Sequence, residues 1–403
     1  TATSLGVSVT SQSTATIVAV TAAAAVAAGV GAIGAGVSGA GAKAENIITS
    51  STQARVVDST LGTSTARAGD VTVSATNTTA IKAVIAALAA AVAGGLGAGA
   101  LAIGASVAVN TLGESGNPHE IVAAITGTAI DSAGSVTVTA THHGSIEATV
   151  IAAAAAMAVG VFGALSGAGA GASTTNTIGT ITQAQIKGAG QVLNVAGTTT
   201  VSATSDPSIT ASTGAVALSL SLAPSGVAVA VGFSEAVNTI TSQTLARIKG
   251  VTLISGGGVS VGASGGGTID ATQYTAAVSG GVLAAAAAAT QATNTVTSTV
   301  LATIDATVTS SRAGIAVLAS TSTVITSKVT SVAIAVGLGG ATTQVLATVL
   351  ANGSTTASLG SSADLTAANG AVVVTALAGL RGTSDLQGGA GSIGLATTGL
   401  AST

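Results

Sequence analysis

The chain has 403 residues, with 10 Lys and Arg against 13 Asp and Glu, so that 6% of it is charged and 1% is aromatic, where globular domains carry roughly 25% charge. A net charge of −3, no basic patch and no Trp argue against nucleic acid, and the absence of cysteine excludes disulfides and thiolate metal sites. Disorder is excluded too, since disordered chains are polar and charged and this one is 48% hydrophobic.

In chain order, the first residues, Thr1-Ala2-Thr3, carry neither Met nor a basic-apolar leader, which reads as a mature form or a fragment. A short strand signal follows at Val7 and returns at Val71, Val136, Thr199, Val259, Ile315 and Val372; its clearest copies, Val71–Ala75 and Val136–Ala140, follow the pattern Gly-x-Val-x-Val-x-Ala. Successive starts lie 64, 65, 63, 60, 56 and 57 residues apart. Ten residues after each of the first six comes an isoleucine, Ile17, Ile81, Ile146, Ile209, Ile269 and Ile325, and only the seventh copy breaks the rule with Gly382. A unit that cannot bury an apolar face alone must stack on its neighbours, so residues 1–403 are expected to form one repeat array with a partial seventh unit over 372–403. The shrinking spacing suggests a wedge that would curve the stack.

After each isoleucine the chain enters an Ala/Gly run, over 17–42, 83–109 and 148–172 in the first three copies. Each run exceeds the ~18 residues that flag a membrane helix. The fourth copy argues otherwise: Val216 to Leu222 and Val227 to Phe233 place large residues at every second position on either side of a Pro-Ser-Gly turn, which is the strand period. Val332, Ile334, Val336 and Leu338 repeat it in the sixth copy, and flanking Lys/Arg and an aromatic belt are missing. The chain is therefore expected not to span a membrane. Each unit reads as an outgoing strand, a Gly-rich reversal such as Gly94–Gly99, and a return strand through Asn46, Asn110, Asn176, Asn238 or Asn294; a second apolar mark such as Ala246-Arg247-Ile248 comes eight residues after most of these, an insertion delaying it to Ala123-Ala124-Ile125 in the second copy, and glycine closes the unit. The expected fold is all-β, a stacked β-arch or β-solenoid array with parallel, in-register strands in two layered sheets.

Parallel in-register rungs ~4.8 Å apart turn every column into a ladder of like residues. The six isoleucines become an apolar stripe and the five asparagines an amide ladder, and both are expected to carry assembly. In the column beside the isoleucines Lys82 neighbours Glu147, and just after the second apolar mark Lys249 neighbours Asp305, so both pairs meet with opposite sign. Ala and Gly in place of Leu and Phe let two sheets approach more closely than the usual ~10 Å. Open ends of such a stack present unpaired N–H and C=O groups, which recruit further chains.

The catalytic inventory is small. His119 beside Pro118 and the pair His142–His143 read as solvated loop residues, the vicinal pair pointing to opposite faces of its strand. Gly29–Gly34 matches a dinucleotide fingerprint without the surrounding βαβ unit, and Asn77 and Asn352 begin glycan acceptor sequons. No enzyme, cofactor, metal site or small-molecule substrate is expected.

The phrase Gly-x-Val-x-Val-x-Ala, an Ala/Gly run, Ala-Val-Asn-Thr-Ile and Ala-x-Ile-x-Gly, carried here by Val136–Ala140, Ala236–Ile240 and Ala246–Gly250, resembles the β-strand repeats of large bacterial surface adhesins and leukotoxin-like proteins. A cysteine-free β-arch chain of this size is also similar to the sheath proteins of methanogenic archaea. Those resemblances imply an extracellular, cell-surface protein. The first expectation is a structural subunit that polymerises with itself into a sheath or filament; the second is a rigid shaft segment of a large adhesin.

Overall fold

The computed structural model describes residues 5–114, 116–393 and 397–402. The fold is all-β: strands take up 88% of these residues, and no helix occurs among them. Among the described residues no helix is long and apolar enough to cross a membrane. In the partial last unit, residues 394–396 and 403 lie outside the described residues.

Each sequence repeat is one rung. The first comprises β1 (Val7–Ile48), β2 (Ser51–Val57) and β3 (Thr60–Leu61); the second β4 (Val71–Leu112), β5 (His119–Thr126) and β6 (Ala129–Ser132); the third β7 (Val136–Lys187) and β8 (Val192–Val195). The fourth is β9 (Thr199–Leu222) with β10 (Gly226–Ser255), the fifth β11 (Val259–Ser310), the sixth β12 (Ile315–Leu359) with β13 (Asp364–Ala367), and the seventh β14 (Val372–Ile393) with β15 (Thr397–Ser402). Neighbouring rungs pair in parallel, and the seven starts align: Val7 with Val71, then Val136, Thr199, Val259, Ile315 and Val372. Unequal unit lengths leave the arms in register. The register shifts fall at the arch tips, between Gly95 and Gly97 and between Gly280 and Leu283, and at an elbow between Lys249 and Thr252.

Within a rung the outgoing arm reverses at glycines that admit no side chain: a Cβ on Gly29 would lie 1.9 Å from the Ala35 carbonyl oxygen. The dinucleotide-like Gly29–Gly34 is thus an arch tip. The return arm runs back to an elbow in the left-handed region, with φ of 59° at Gly127 and 69° at Gly250; the first rung places Asp58 there at 46°, a residue that tolerates this region. Glycine does not close the unit as the sequence suggested. A further strand follows it, because Leu193 and Val195, or Leu253 and Ser255, alternate inward and seal the coil. Serines in this strand also tie the second, fourth and fifth rungs to the one before: Ser132 Oγ donates to the Gly69 carbonyl at 2.6 Å, Ser255 Oγ to that of Gly197 at 3.0 Å and Ser310 Oγ to that of Gly257 at 2.6 Å.

The interior is layered. At the base, Val71, Val73, Val136, Val138, Ile125, Ile186, Leu193 and their equivalents form a conventional core. Above it lies a layer of isoleucines, and beyond that the two arms meet through alanine alone or nearly so, among them Ala87, Ala89, Ala91, Ala152, Ala154 and Ala156. Ser106 Oγ donates to the backbone carbonyl of Ile151 on the opposing arm at 2.6 Å, and a Cβ on Gly104 would stand 2.4 Å from the Ala153 oxygen. One side chain therefore bridges the whole gap, and the arms lie closer than the usual ~10 Å between sheets. Alanine favours helices in isolation. Here the neighbouring rungs supply a ready hydrogen-bonding edge, and frequent glycine weakens the helical alternative.

Because the inside is small, most large residues of the arms face outward. Leu88, Val92, Leu101, Ile103, Phe162 and Phe233 are all exposed. Residues 21–42, 85–106, 150–172, 213–234, 273–290 and 329–345, the upper parts of six successive arches, contain no charged residue. The stack is a charged, well-packed base bearing an uncharged apolar fin.

Candidate functional site

The structure brings the two sets of candidate residues together column by column. Ile17 stands opposite Ile81, which pairs with Ile146, and Ile209, Ile269 and Ile325 continue the column. All but Ile17, which is half-buried in the first rung, are sealed from solvent, and they pack against a second stripe on the return arms made of Ile48, Leu112, Ile178, Ile240 and Val296. Gly382 ends the column opposite Ile325.

Asn46, Asn110, Asn176, Asn238 and Asn294 form a continuous amide ladder, each Nδ2 donating to the next Oδ1 at 2.8 Å over four successive bonds. Every member is buried. The register forces this: an amide repeated every rung can satisfy both its donor and its acceptor within the stack. Bonds chained in one direction also polarise one another. Val349 follows Asn294 in the column, and the Asn294 Nδ2 has no acceptor among the described residues. The two charge pairs also form, Lys82 Nζ to Glu147 at 3.0 Å and Lys249 Nζ to Asp305 at 3.8 Å. Lys82 and Glu147 are more than half exposed, so their pair contributes little to stability and more to register.

One cluster differs from the sequence reading. His119 and His142 are not solvated loop residues. Both are completely buried in a polar seam between the base core and the isoleucine layer, with ring centroids 5.5 Å apart. Only His143 faces out, so the vicinal pair does split across its strand. His119 Nε2 lies 2.8 Å from Asn77 Oδ1 and 2.9 Å from Ser50 Oγ, while His142 Nδ1 lies 3.4 Å from Ser205 Oγ. Asn77 is buried and donates to Thr52 Oγ1 at 3.1 Å, so its sequon is inaccessible in the folded rung. The signal was parity: His142 shares its face with Val136, Val138 and Ile146, and His119 with Ile121, Ala123 and Ile125.

Burial, reinforced by His119 and His143, pushes the His142 pKa down to about 3, and burial lowers that of His119 as well. The unfolded chain, with an ordinary histidine near 6.5, takes the proton first. Stability is therefore complete above pH 6.5 and falls with pH toward 3. The slope is about 1.4 kcal/mol per pH unit for His142, or roughly 2–3 kcal/mol between pH 6.5 and 4.5. Denaturant midpoints followed over that range should show this loss, and His142→Gln should flatten it; equal slopes in both proteins would refute the assignment.

Among the described residues no three His, Asp or Glu side chains gather as a metal site requires. The comparisons are silent on relationship: no family model, no curated protein and no solved structure matches the chain.

Proposed function

We propose that this chain is a structural cell-surface protein whose copies associate end to end into an extracellular sheath or filament. The supporting observation is the pairing at the two limits of the stack. Among the described residues β1 pairs only with β4, and β14 only with β12, so each presents on its other side the same parallel ladder that every inner rung uses. A first rung aligned under a last one would extend both hydrogen-bonding and apolar columns without new geometry. Poverty of charge favours association over dispersal. The resemblance to sheath proteins and to surface repeats points the same way.

The same edges support a second reading, a shaft segment of a large adhesin, because further repeats of one longer chain would fit them equally well. Purified protein at neutral pH is expected to form polymers with a meridional reflection at ~4.7–4.8 Å. Persistent monomers under those conditions would exclude the sheath and leave the shaft.

A further inference from the structure

We propose that the outer face of the return arms is a pairing surface for a second copy of this chain, related to the first by a two-fold axis between the third and fourth rungs. This is a lateral contact and does not rest on end-to-end growth.

The observation is a relief pattern. Along the uncharged part of the return arms, the outward residues of the second rung are Leu101, Ile103 and Ala105, and those of the third are Gly167, Gly169 and Gly171, paired with them residue for residue. The fourth rung raises Val229, Val231 and Phe233 opposite the glycines, and the fifth drops to Ala285, Ala287 and Ala289. Large and small rungs alternate. The glycine rung is a groove between two apolar ridges, widening beside Val37, Leu165 and Val229 into a hollow of about 360 Å³. Leu101 leans over Gly167, whereas nothing lies within 4 Å of a Cβ built on Gly169 or Gly171.

A two-fold axis between the third and fourth rungs exchanges third with fourth and second with fifth. Each ridge then meets a groove: Val231 enters over the partner's Gly169, and Ile103 faces the partner's Ala287. The match is reciprocal, as an isologous interface requires. At ~4.8 Å per rung and ~3.3 Å per residue, six rungs by about seven residues give on the order of 650 Å² per copy, within the range of stable protein interfaces. Lys43 and Glu235, the nearest charges, fall on the rim, where polar residues belong. The outgoing arms lack such a glycine-floored rung; there the third rung exposes Ile151, Met157 and Val159.

The chain has no cysteine, so single thiols report cleanly. Val231→Cys places two sulfurs beside the axis and is expected to give a disulfide-linked dimer under mild oxidation, at least tenfold faster than Leu88→Cys on the outgoing arm. End-to-end growth separates copies of residue 231 by several rungs and cannot produce this link. Gly169→Leu, at a position where an added Cβ meets nothing within 4 Å, fills the groove and should weaken dimerisation in analytical ultracentrifugation at least tenfold, with an unchanged circular dichroism spectrum; Phe233→Ser should act likewise from the ridge side. Equal cross-linking at residues 88 and 231, or undiminished association of Gly169→Leu, overturns the proposal. So does flotation with phosphatidylcholine vesicles without cross-linked dimers, which would assign the face to lipid.

Discussion

Replacing Ile146 with Asp is expected to destabilise the stack by roughly 5 kcal/mol or more. The change removes a fully buried side chain from the middle of the isoleucine column, between Ile81 and Ile209, and leaves a carboxylate with no partner in an apolar layer. Truncation of buried isoleucine alone costs about 2–5 kcal/mol, and the unpaired charge adds to it or forces the group to take up a proton. Ile17→Asp is the internal control: half-buried in the first rung, it should cost less than half as much. Guanidinium unfolding of the two variants, with assembly followed by sedimentation, checks both values. A loss below about 2 kcal/mol for Ile146→Asp would mean that the column is not a continuous apolar layer.

Cutting the amide ladder should cost nearly as much. Asn176→Leu deprives the Asn110 Nδ2 of its acceptor and the Asn238 Oδ1 of its donor, both in a fully buried column. Each orphaned group costs about 1–3 kcal/mol, giving a total of ~2–6 kcal/mol. Asn294→Leu breaks only the bond from Asn238, beside Val349, and should cost about half of that. Unfolding free energies of the two variants decide the matter, and a ratio near one would show that the bonds do not act as a chain. The backbone is untouched in both, so the difference isolates the side-chain contribution.

Most of this architecture was legible because a stack converts sequence spacing directly into contact. The isoleucine and asparagine columns, and the pairs Lys82–Glu147 and Lys249–Asp305, follow from counting along the repeat, since one rung's residue n meets the same n in the next. What counting does not give is the path between rungs. The strand after the elbow, Val192–Val195 in the third rung, is short and polar-flanked, and only its alternation of Leu193 and Val195 toward the core betrays it. The histidines escape a composition-based reading for a related reason: their residue type usually belongs to the surface, whereas the parity of His142 with Ile146 places it inside. Composition announced close sheets, but the inversion of size, alanine within and Leu88 or Val92 without, lies in which register of the alternation each takes.

Threading a single covalent strand through every layer has a mechanical outcome. Pulled from its two ends, the molecule would shed layers one after another instead of snapping. Each released layer surrenders only ~4.8 Å of height yet pays out about 200 Å of slack chain at ~3.3–3.6 Å per residue. Such stored length would let a thin, rigid body absorb sudden loads, and re-zipping onto the remaining template would restore its stiffness once the force has passed.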